Sequence, residues 1–380
     1  MNFVAWQMLT GDRPKYIGLI FAIAFSTFLM SHQASIFCGL MDRTRSQIVD
    51  VRDASIWVMD PKTQYVDEVK ALPDQDLYRV RGSEAVEWAV PLFKGNARAR
   101  VHRDGSFRAV ILMGLDDSSL VGSPRNMALG SFEALLQPDT IILDRVGYKF
   151  FFPGEPLELG RQLEINDHLL TVGGICNSSA PFVNLPVAYA RYSKAINLVG
   201  EERNLMSFIV AKPRAGLSAT EAARRISAAT GLRALTASDF GWETIWYYIK
   251  NTGIPVNFGI TVIIALVVGT VVAGQTFYLF TLENLKQFGA LKAIGVTNWR
   301  ITGMILMQAA IVGSIGYCIG IAMTAAFFEA TKNNLDLRGF YLLPEVMRGV
   351  AVTVTFIAFL ASVISVRKVV VLEPAVVFRG

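Results

Sequence analysis

Charge is what this sequence has least of. Of its 380 residues, 52% are hydrophobic and 18% charged, where an average soluble domain is about a quarter charged. The deficit is local: no Asp, Glu, Lys or Arg occurs at 16–40, 251–282, 301–328 or 349–366. A bilayer core takes about 20 apolar helical residues, and a charge at its centre costs roughly 2.5–3.5 kcal/mol on insertion scales. Four charge-free runs of 18 residues or more therefore exclude a wholly soluble chain and predict four spans. Arg13 and Lys15 precede the first run, as in a signal peptide. Its apolar character, however, continues past Met30 to Ile36, Phe37 and Leu40, beyond the roughly 7–15 residues of a signal core, so it is read as a retained helix.

Other absences narrow the chemistry. There are three cysteines, and only Cys176 falls between the first two runs, so no disulfide is expected within that segment. His32, His102 and His168 have no partners at ligand spacing, and no metal is expected. No G-x-x-x-x-G-K-[ST] loop is present; 289–297 has two glycines at the wrong spacing and no lysine after the second. The chain is thus expected to carry no cofactor and to hydrolyse no ATP. Gly313-Ser-Ile-Gly316 is not a G-x-S-x-G elbow. The runs lack the mid-membrane ionisable groups of proton- or ion-coupled transporters. Their strongly polar residues are His32 and Gln275, with Gln33 and Gln308 nearer the ends. A membrane enzyme lacks any nucleophile–base or metal set.

The charge that is present reports orientation. Residues 41–250 carry 25 basic and 25 acidic residues. The segment before the first span, the loop at 283–300 and the tail after 366 together hold eight basic and three acidic residues, the whole of the net +5. Positive loops stay inside, so both termini and that loop are expected to be cytoplasmic. The basic balance reports topology and gives no support to nucleic-acid binding. The expected order is a cytoplasmic amphipathic helix at 1–15, spans at 16–40, 251–282, 301–328 and 346–366, and an extracytoplasmic domain at 41–250. A loop at 283–300, a short outer loop at 329–345 and a cytoplasmic tail at 367–380 complete it.

The large domain reads as α+β. Strands are expected at 54–59, 86–101, 107–115, 140–143, within 157–175, at 204–211 and at 232–235. Asp104-Gly105 is a hairpin signal. Asp74 or Asp76 is expected to cap a helix near 77–86, and 122–138 is expected to be loop with one short helix. Ser218-Ala-Thr-Glu221 is a capping box opening a helix to about Ala229. These pieces predict a split β-α-β porter-like part with an inserted β-rich subdomain. Trp242, Trp246, Tyr247 and Tyr248 suggest an interfacial aromatic belt before the second span. The first two spans are expected to continue outward as a stalk.

The 283–300 loop is the most informative segment. Leu285, Phe288, Leu291 and Ile294 recur every three residues, with Lys286 and Lys292 beside them. They predict a short amphipathic helix ended by Gly295, with Thr297 capping the next span. Such a helix is either a lipid-lying connector or a docking surface for a cytoplasmic partner. Gly313, Gly316 and Gly320 predict close helix packing, and Gln275 an interhelical hydrogen bond.

Phe288-Gly-Ala-Leu-Lys-Ala-Ile-Gly295 resembles the E-x-G-x-L-[RK]-A-[IL]-G signature of MacB/FtsX-type ABC permeases, the type VII superfamily. Leu372-Glu-Pro-Ala-Val-Val-Phe-Arg379 resembles that family's L-x-P-x-x-x-L-R tail, and Val172-Gly-Gly-Ile175 its V-V-G-[VI] strand. Residues 252–294 are most similar to DevC-type permeases, linked to glycolipid export. One departure is that Phe288 follows Gln287, and the nearest acid is Glu283. The resemblance implies a coupling helix against a separate ATPase dimer, which binds ATP and Mg. It implies a homodimeric permease working by mechanotransmission on a lipid-like or amphiphilic substrate, with a periplasmic adaptor and an outer-membrane channel. The alternative is an FtsX-like regulatory permease controlling a cell-wall hydrolase or an antibiotic response.

Overall fold

The computed structural model describes residues 2–11, 13–101, 104–199, 206–332, 334, 337 and 339–370. The tail motif at 372–379 and His102 lie outside the described residues. In chain order the elements are α1 (Asn2–Gly11), α2 (Arg13–Thr44), α3 (Ser46–Asp50), β1 (Ile56–Met59), α4 (Asp74–Arg81), β2 (Val86–Arg100) and β3 (Phe107–Leu115). Then come β4 (Met127–Gly130), a 3-10 turn (Phe132–Leu136), β5 (Thr140–Asp144), α5 (Arg145–Phe151), β6 (Gln162–Ile165), β7 (His168–Cys176), β8 (Val187–Arg191) and α6 (Tyr192–Val199). The chain continues through β9 (Phe208–Pro213), α7 (Ala219–Thr230), β10 (Arg233–Thr236), α8 (Ala237–Asn251), α9 (Ile254–Glu283), α10 (Leu285–Ala293), α11 (Asn298–Thr331) and α12 (Pro344–Val370). It divides into two units, 1–39 with 253–380, and 40–252.

In the first unit, α2, α9, α11 and α12 are each long and apolar enough to cross a membrane. α2 runs unbroken to Thr44, whereas α9 begins only at Ile254, with Pro255 in its first turn. Leu19, Ile23, Ala265, Phe277, Ala309, Val312, Val354 and Ala361 are buried together among these helices. α1 packs on α11 instead of standing apart. The Gln308 side-chain amide on α11 donates to the Ala5 carbonyl at 2.8 Å, and Leu9 is fully buried.

The second unit is a split β-α-β half joined to a ring of strands. β1 pairs antiparallel with both β9 and β10, so β9-α7-β10 is a parallel crossover straddling β1. The Ser218 hydroxyl accepts from the Glu221 amide as the capping box requires, and Gly231, at φ 72°, ends α7. Alternation along the strands serves two faces. Ile56, Val58, Ile209 and Ala211 pack with Leu77 and Val80 of α4 and Ile226 of α7. Trp57, Met59, Phe208 and Val210 pack on the opposite side with Ile48 of α3 and Phe240 of α8.

β2 joins the halves. Its first part, Val86 to Leu92, pairs with β9, and from Phe93 onward it pairs with β3. The series β2-β3-β8-β5-β7-β6 returns to β2 through Ala99 opposite Ile165, closing a six-stranded ring. Val110, Leu112, Leu143 and Leu170 belong to the core that also takes Tyr148, Phe151 and Phe152.

Several expectations need correction. β4, α5, β8 and α6 were not expected, and β4 falls inside the segment read as loop. The Asp144 carboxylate ends β5 and caps α5, accepting from the Gly147 and Val187 amides. α4 starts after Pro73 with no side-chain cap; Asp76 pairs with Arg79 instead of capping. Residues 157–161 are not strand. Of the four aromatics before the second span, Trp242 and Trp246 are exposed, whereas Tyr247 stacks on Tyr65, and Tyr248 packs on Tyr65 and Phe182 within the second unit.

Candidate functional site

α10 consists mostly of good helix formers and is closed by its C-terminal turn. The Val296 amide donates to the Leu291 carbonyl and the Gly295 amide to that of Lys292, with Gly295 at φ 93°. This is the double hydrogen bond of a Schellman stop, which needs a residue free to adopt positive φ. Thr297 stands at the N-cap of α11 but makes no side-chain capping hydrogen bond.

The helix is clamped to its own bundle. Phe288 is fully buried with Ile301 and Ile305 of α11 and Val369 of α12, and Met8, Leu285, Leu291, Val296 and Val366 surround them. Gly289 is buried beside Phe288. The Lys292 ammonium donates to the Val370 carbonyl at 2.9 Å. The expected four-residue stripe is therefore divided. Leu285, Phe288 and Leu291 face the bundle, whereas Ile294 is 77% exposed because the helix has reached its C-cap. Lys286 is also exposed. Glu283 pairs with Lys15 at the foot of α2, which ties the loop's one acid to the bundle. Trp299, 85% exposed on the first turn of α11, was not singled out from sequence. Its signal was a large aromatic between the helix-ending Gly295 and the next charge-free run.

The glycines of α11 serve two different seams. A Cβ at Gly320 would lie 2.5 Å from the Thr27 Cβ and 2.6 Å from the Ala24 carbonyl oxygen. One at Gly316 would lie 2.8 Å from the Ile23 Cβ. This pair sets how closely α11 meets α2. Gly313 faces α12 instead, with the Ala358 Cβ at 3.4 Å. Sequence reasoning overlooked the matching stripe on α2, where Ser26, Thr27, Ser31 and Ser35 are buried. The Ser26 hydroxyl donates to the Ala265 carbonyl of α9 at 2.6 Å, and Ser31 and Thr324 share a hydroxyl–hydroxyl bond of 2.6 Å. The small-xxx-small spacing of 27, 31 and 35 was the available signal. Gln275 does not pack within this bundle. It is exposed on α9, on the face that also carries Val268, Val271, Val272 and Leu279.

A buried ionisable cluster in the second unit was also missed. The Lys94 ammonium pairs with Asp67 and donates to the Val66 carbonyl at 3.2 Å. The Tyr248 hydroxyl donates to Asp67 at 3.0 Å. Burial pushes the lysine below its ordinary range against the pull of Asp67, and burial pushes the tyrosine well above its own. No cluster of metal-ligating side chains occurs among the described residues.

Two family models match. One described as MacB-like periplasmic core domain covers residues 17–229, and one described as FtsX-like permease C-terminal covers 259–374. An uncharacterized ABC transporter permease of Mycobacterium bovis is 33% identical over 126 residues, 32% of this chain. The chain spans about a third of that relative's length, 34%. An uncharacterized ABC transporter permease of Mycobacterium tuberculosis is 23% identical over 312 residues, 81% of this chain and 79% of that protein. Among solved structures, the periplasmic region of MacB from Actinobacillus actinomycetemcomitans is 14% identical, with a TM-score of 0.38 over 54% of this chain and 96% of that one. The extracellular domain of the ABC-type transporter YknZ from Gram-positive bacteria is 15% identical, with a TM-score of 0.35 over 48% of this chain and 98% of that one.

Proposed function

Because the chain belongs to the ABC transporter permeases with a MacB-like core domain and an FtsX-like C-terminal part, we propose that it is the noncatalytic membrane subunit of an exporter. A separate cytoplasmic ATPase dimer binds ATP and Mg, and its closure moves α10. The bundle relays that motion to the 41–250 domain, which releases a lipid-like or amphiphilic substrate, such as a glycolipid, toward an adaptor and outer-membrane channel. Both termini lie in the cytoplasm, a placement the excess of basic residues there supports. The permease works as a homodimer, and Gln275 with the exposed apolar face of α9 forms the self-contact, since an amide facing lipid lacks a hydrogen-bonding partner.

The observation that carries the coupling step is the division of α10. Phe288 is locked into the bundle while Lys286 and Ile294, with Trp299 nearby in sequence, face outward. A part that transmits force needs both a grip on the bundle and a free face for the ATPase. Ile294→Asp combined with Trp299→Ala is expected to abolish co-purification with the cognate ATPase. Phe288→Ala is expected to keep the ATPase bound and lose substrate-stimulated ATP hydrolysis. Normal assembly and normal stimulated hydrolysis in both variants would remove α10 from the coupling path. Normal export in a deletion strain, together with direct binding of a cell-wall hydrolase, would favour the regulatory alternative.

A further inference from the structure

Inside a span, a serine or threonine can return its hydroxyl to the carbonyl four residues back. Thr270, Thr276, Thr281 and Thr324 all do so. Thr27 and Ser35 on α2 do not. Both are fully buried, and neither hydroxyl has a hydrogen-bond partner. A buried hydroxyl left unpaired costs free energy, so two on one face of a helix call for a reason.

Their spacing supplies it. Thr27, Ser31 and Ser35 stand four residues apart, about one helical turn each, and Thr324 of α11 bonds the middle one at 2.6 Å. α11 runs parallel to α2 in constant register, with Gly316 on Ile23, Gly320 on Thr27 and Thr324 at Ser31. Moving α2 by four residues toward its own C-terminus brings Thr27 to Thr324. No hydroxyl loses its last bond in that step. Thr324 still donates to the Gly320 carbonyl, Ser31 still donates to the Thr27 carbonyl at 2.8 Å, and the Thr27 hydroxyl gains the partner it lacks.

The packing repeats as well. Ile23 passes from Gly316 to Gly320, where it replaces Thr27, one β-branched side chain for another. On the other side of α2, α9 runs antiparallel, with Ser26 against Ala265 and Gly269 and Phe37 against Phe258. The same step sets Ala22 in place of Ser26 against Gly269, a smaller side chain at a tight point. The reverse step would give Ser35 to Thr324, but it would carry Met30 onto Gly269, where Ser26 already leaves no room for a Cβ. The seam thus has a second register in one direction. What the step gives up is the Lys15–Glu283 pair and the stacking of His32 on Phe328, and these hold the present register.

We propose that α2 is a one-turn ratchet, sliding about 6 Å along α9 and α11 as Thr324 passes from the Ser31 hydroxyl to that of Thr27. The ratchet deepens the exporter reading by supplying its moving part. α10 grips α11 and α12, and α2 runs unbroken to Thr44. It rests on that reading for what drives the slide.

The test is disulfide trapping in the full chain in nanodiscs, with Cys38, Cys176 and Cys318 replaced by alanine and copper phenanthroline as oxidant. Ser31→Cys with Thr324→Cys reports the present register and should link fastest, which also shows that the seam has folded. Thr27→Cys with Thr324→Cys reports the shifted register. It should link about ten- to a thousandfold more slowly, as a minor state populated at about 0.1–10% would. Ser35→Cys with Thr324→Cys lies one turn away on the other side and should stay at background. Equal rates for the 27 and 35 pairs, or no link at 27, would overturn the ratchet. No ATPase is present in these measurements, so they do not depend on coupling. Adding the ATPase with ATP should speed the 27–324 link. A 27–324 link that forms but ignores ATP leaves the ratchet standing and counts against the coupling reading alone.

Discussion

Where α11 crosses α2, glycine meets backbone, Gly320 over the Ala24 carbonyl. Where β1 meets β9 and α8 in the outer unit, ring meets ring, Trp57 against Phe208 and Phe240 with centroids 5.2 and 5.8 Å apart. One polypeptide thus packs in two solvents. In water, large side chains gain free energy by leaving the solvent. In lipid the tails are as apolar as the side chains, so helices are held by close fit and hydrogen bonds. The same substitution should therefore read differently in the two units.

The largest contrast is expected from emptying a buried ring site. Phe208→Ala should cost the outer unit about 3–5 kcal/mol, from lost transfer plus a cavity. Phe277→Ala, equally buried among α2, α9, α11 and α12, forfeits contacts but little transfer energy. Tryptophan-fluorescence melting should show a lowered Tm for the first, and an SDS titration a smaller loss for the second. Equal losses would mean that the bundle is stabilised as a soluble core is.

Filling a contact should act in the opposite sense. Gly320→Ala places a methyl against a backbone oxygen that cannot yield, and is expected to cost about 1–3 kcal/mol. Gly313→Ala meets the Ala358 methyl at 3.4 Å, an ordinary contact, and should be close to neutral. The pair, compared by SDS titration, tests whether the α2–α11 seam or the α11–α12 seam sets the bundle. Similar results for the two would show that neither does.

This contrast also explains what the sequence could disclose. Absence of charge is read one residue at a time, so the four long helices were legible to within a few residues. The spacing of Gly316 and Gly320 foretold a seam, though not its partner, because the partner stripe on α2 is made of serines and threonines that composition treats as ordinary. In the outer unit, β1, β2, β3 and α7 were legible because their alternation, hairpin turn and capping box are local. β8 was not: Val187-Ala-Tyr-Ala-Arg191 is buried by pairing parallel with β3 and antiparallel with β5, and nothing local specifies those neighbours. The α10 segment shows the same limit within a single helix. Its period marked an apolar face, but only the structure shows that Phe288 is spent on the bundle and Ile294 is left outside. Lys94 was hidden for a like reason, since a lysine in a strand usually points to water.

The smallest contrast concerns hydroxyls. Ser207→Ala in the outer unit removes the group that satisfies both the amide and the carbonyl of Lys94, leaving buried backbone atoms unpaired at about 1–3 kcal/mol. Ser31→Ala in the bundle removes the bond to Thr324, but Thr324 still donates to the Gly320 carbonyl at 3.0 Å. A bundle hydrogen bond of this kind is worth about 0.6 kcal/mol on average, because the separated helix finds partners along its own backbone. Ser31 already has one, since it reaches the Thr27 carbonyl at 2.8 Å. Hydrogen exchange of the two units in one sample should show faster opening near β2 in Ser207→Ala and little change in α2 or α11 in Ser31→Ala. A larger effect from Ser31 would mean that its bond to Thr324, more than the glycine seam, holds α2 against α11.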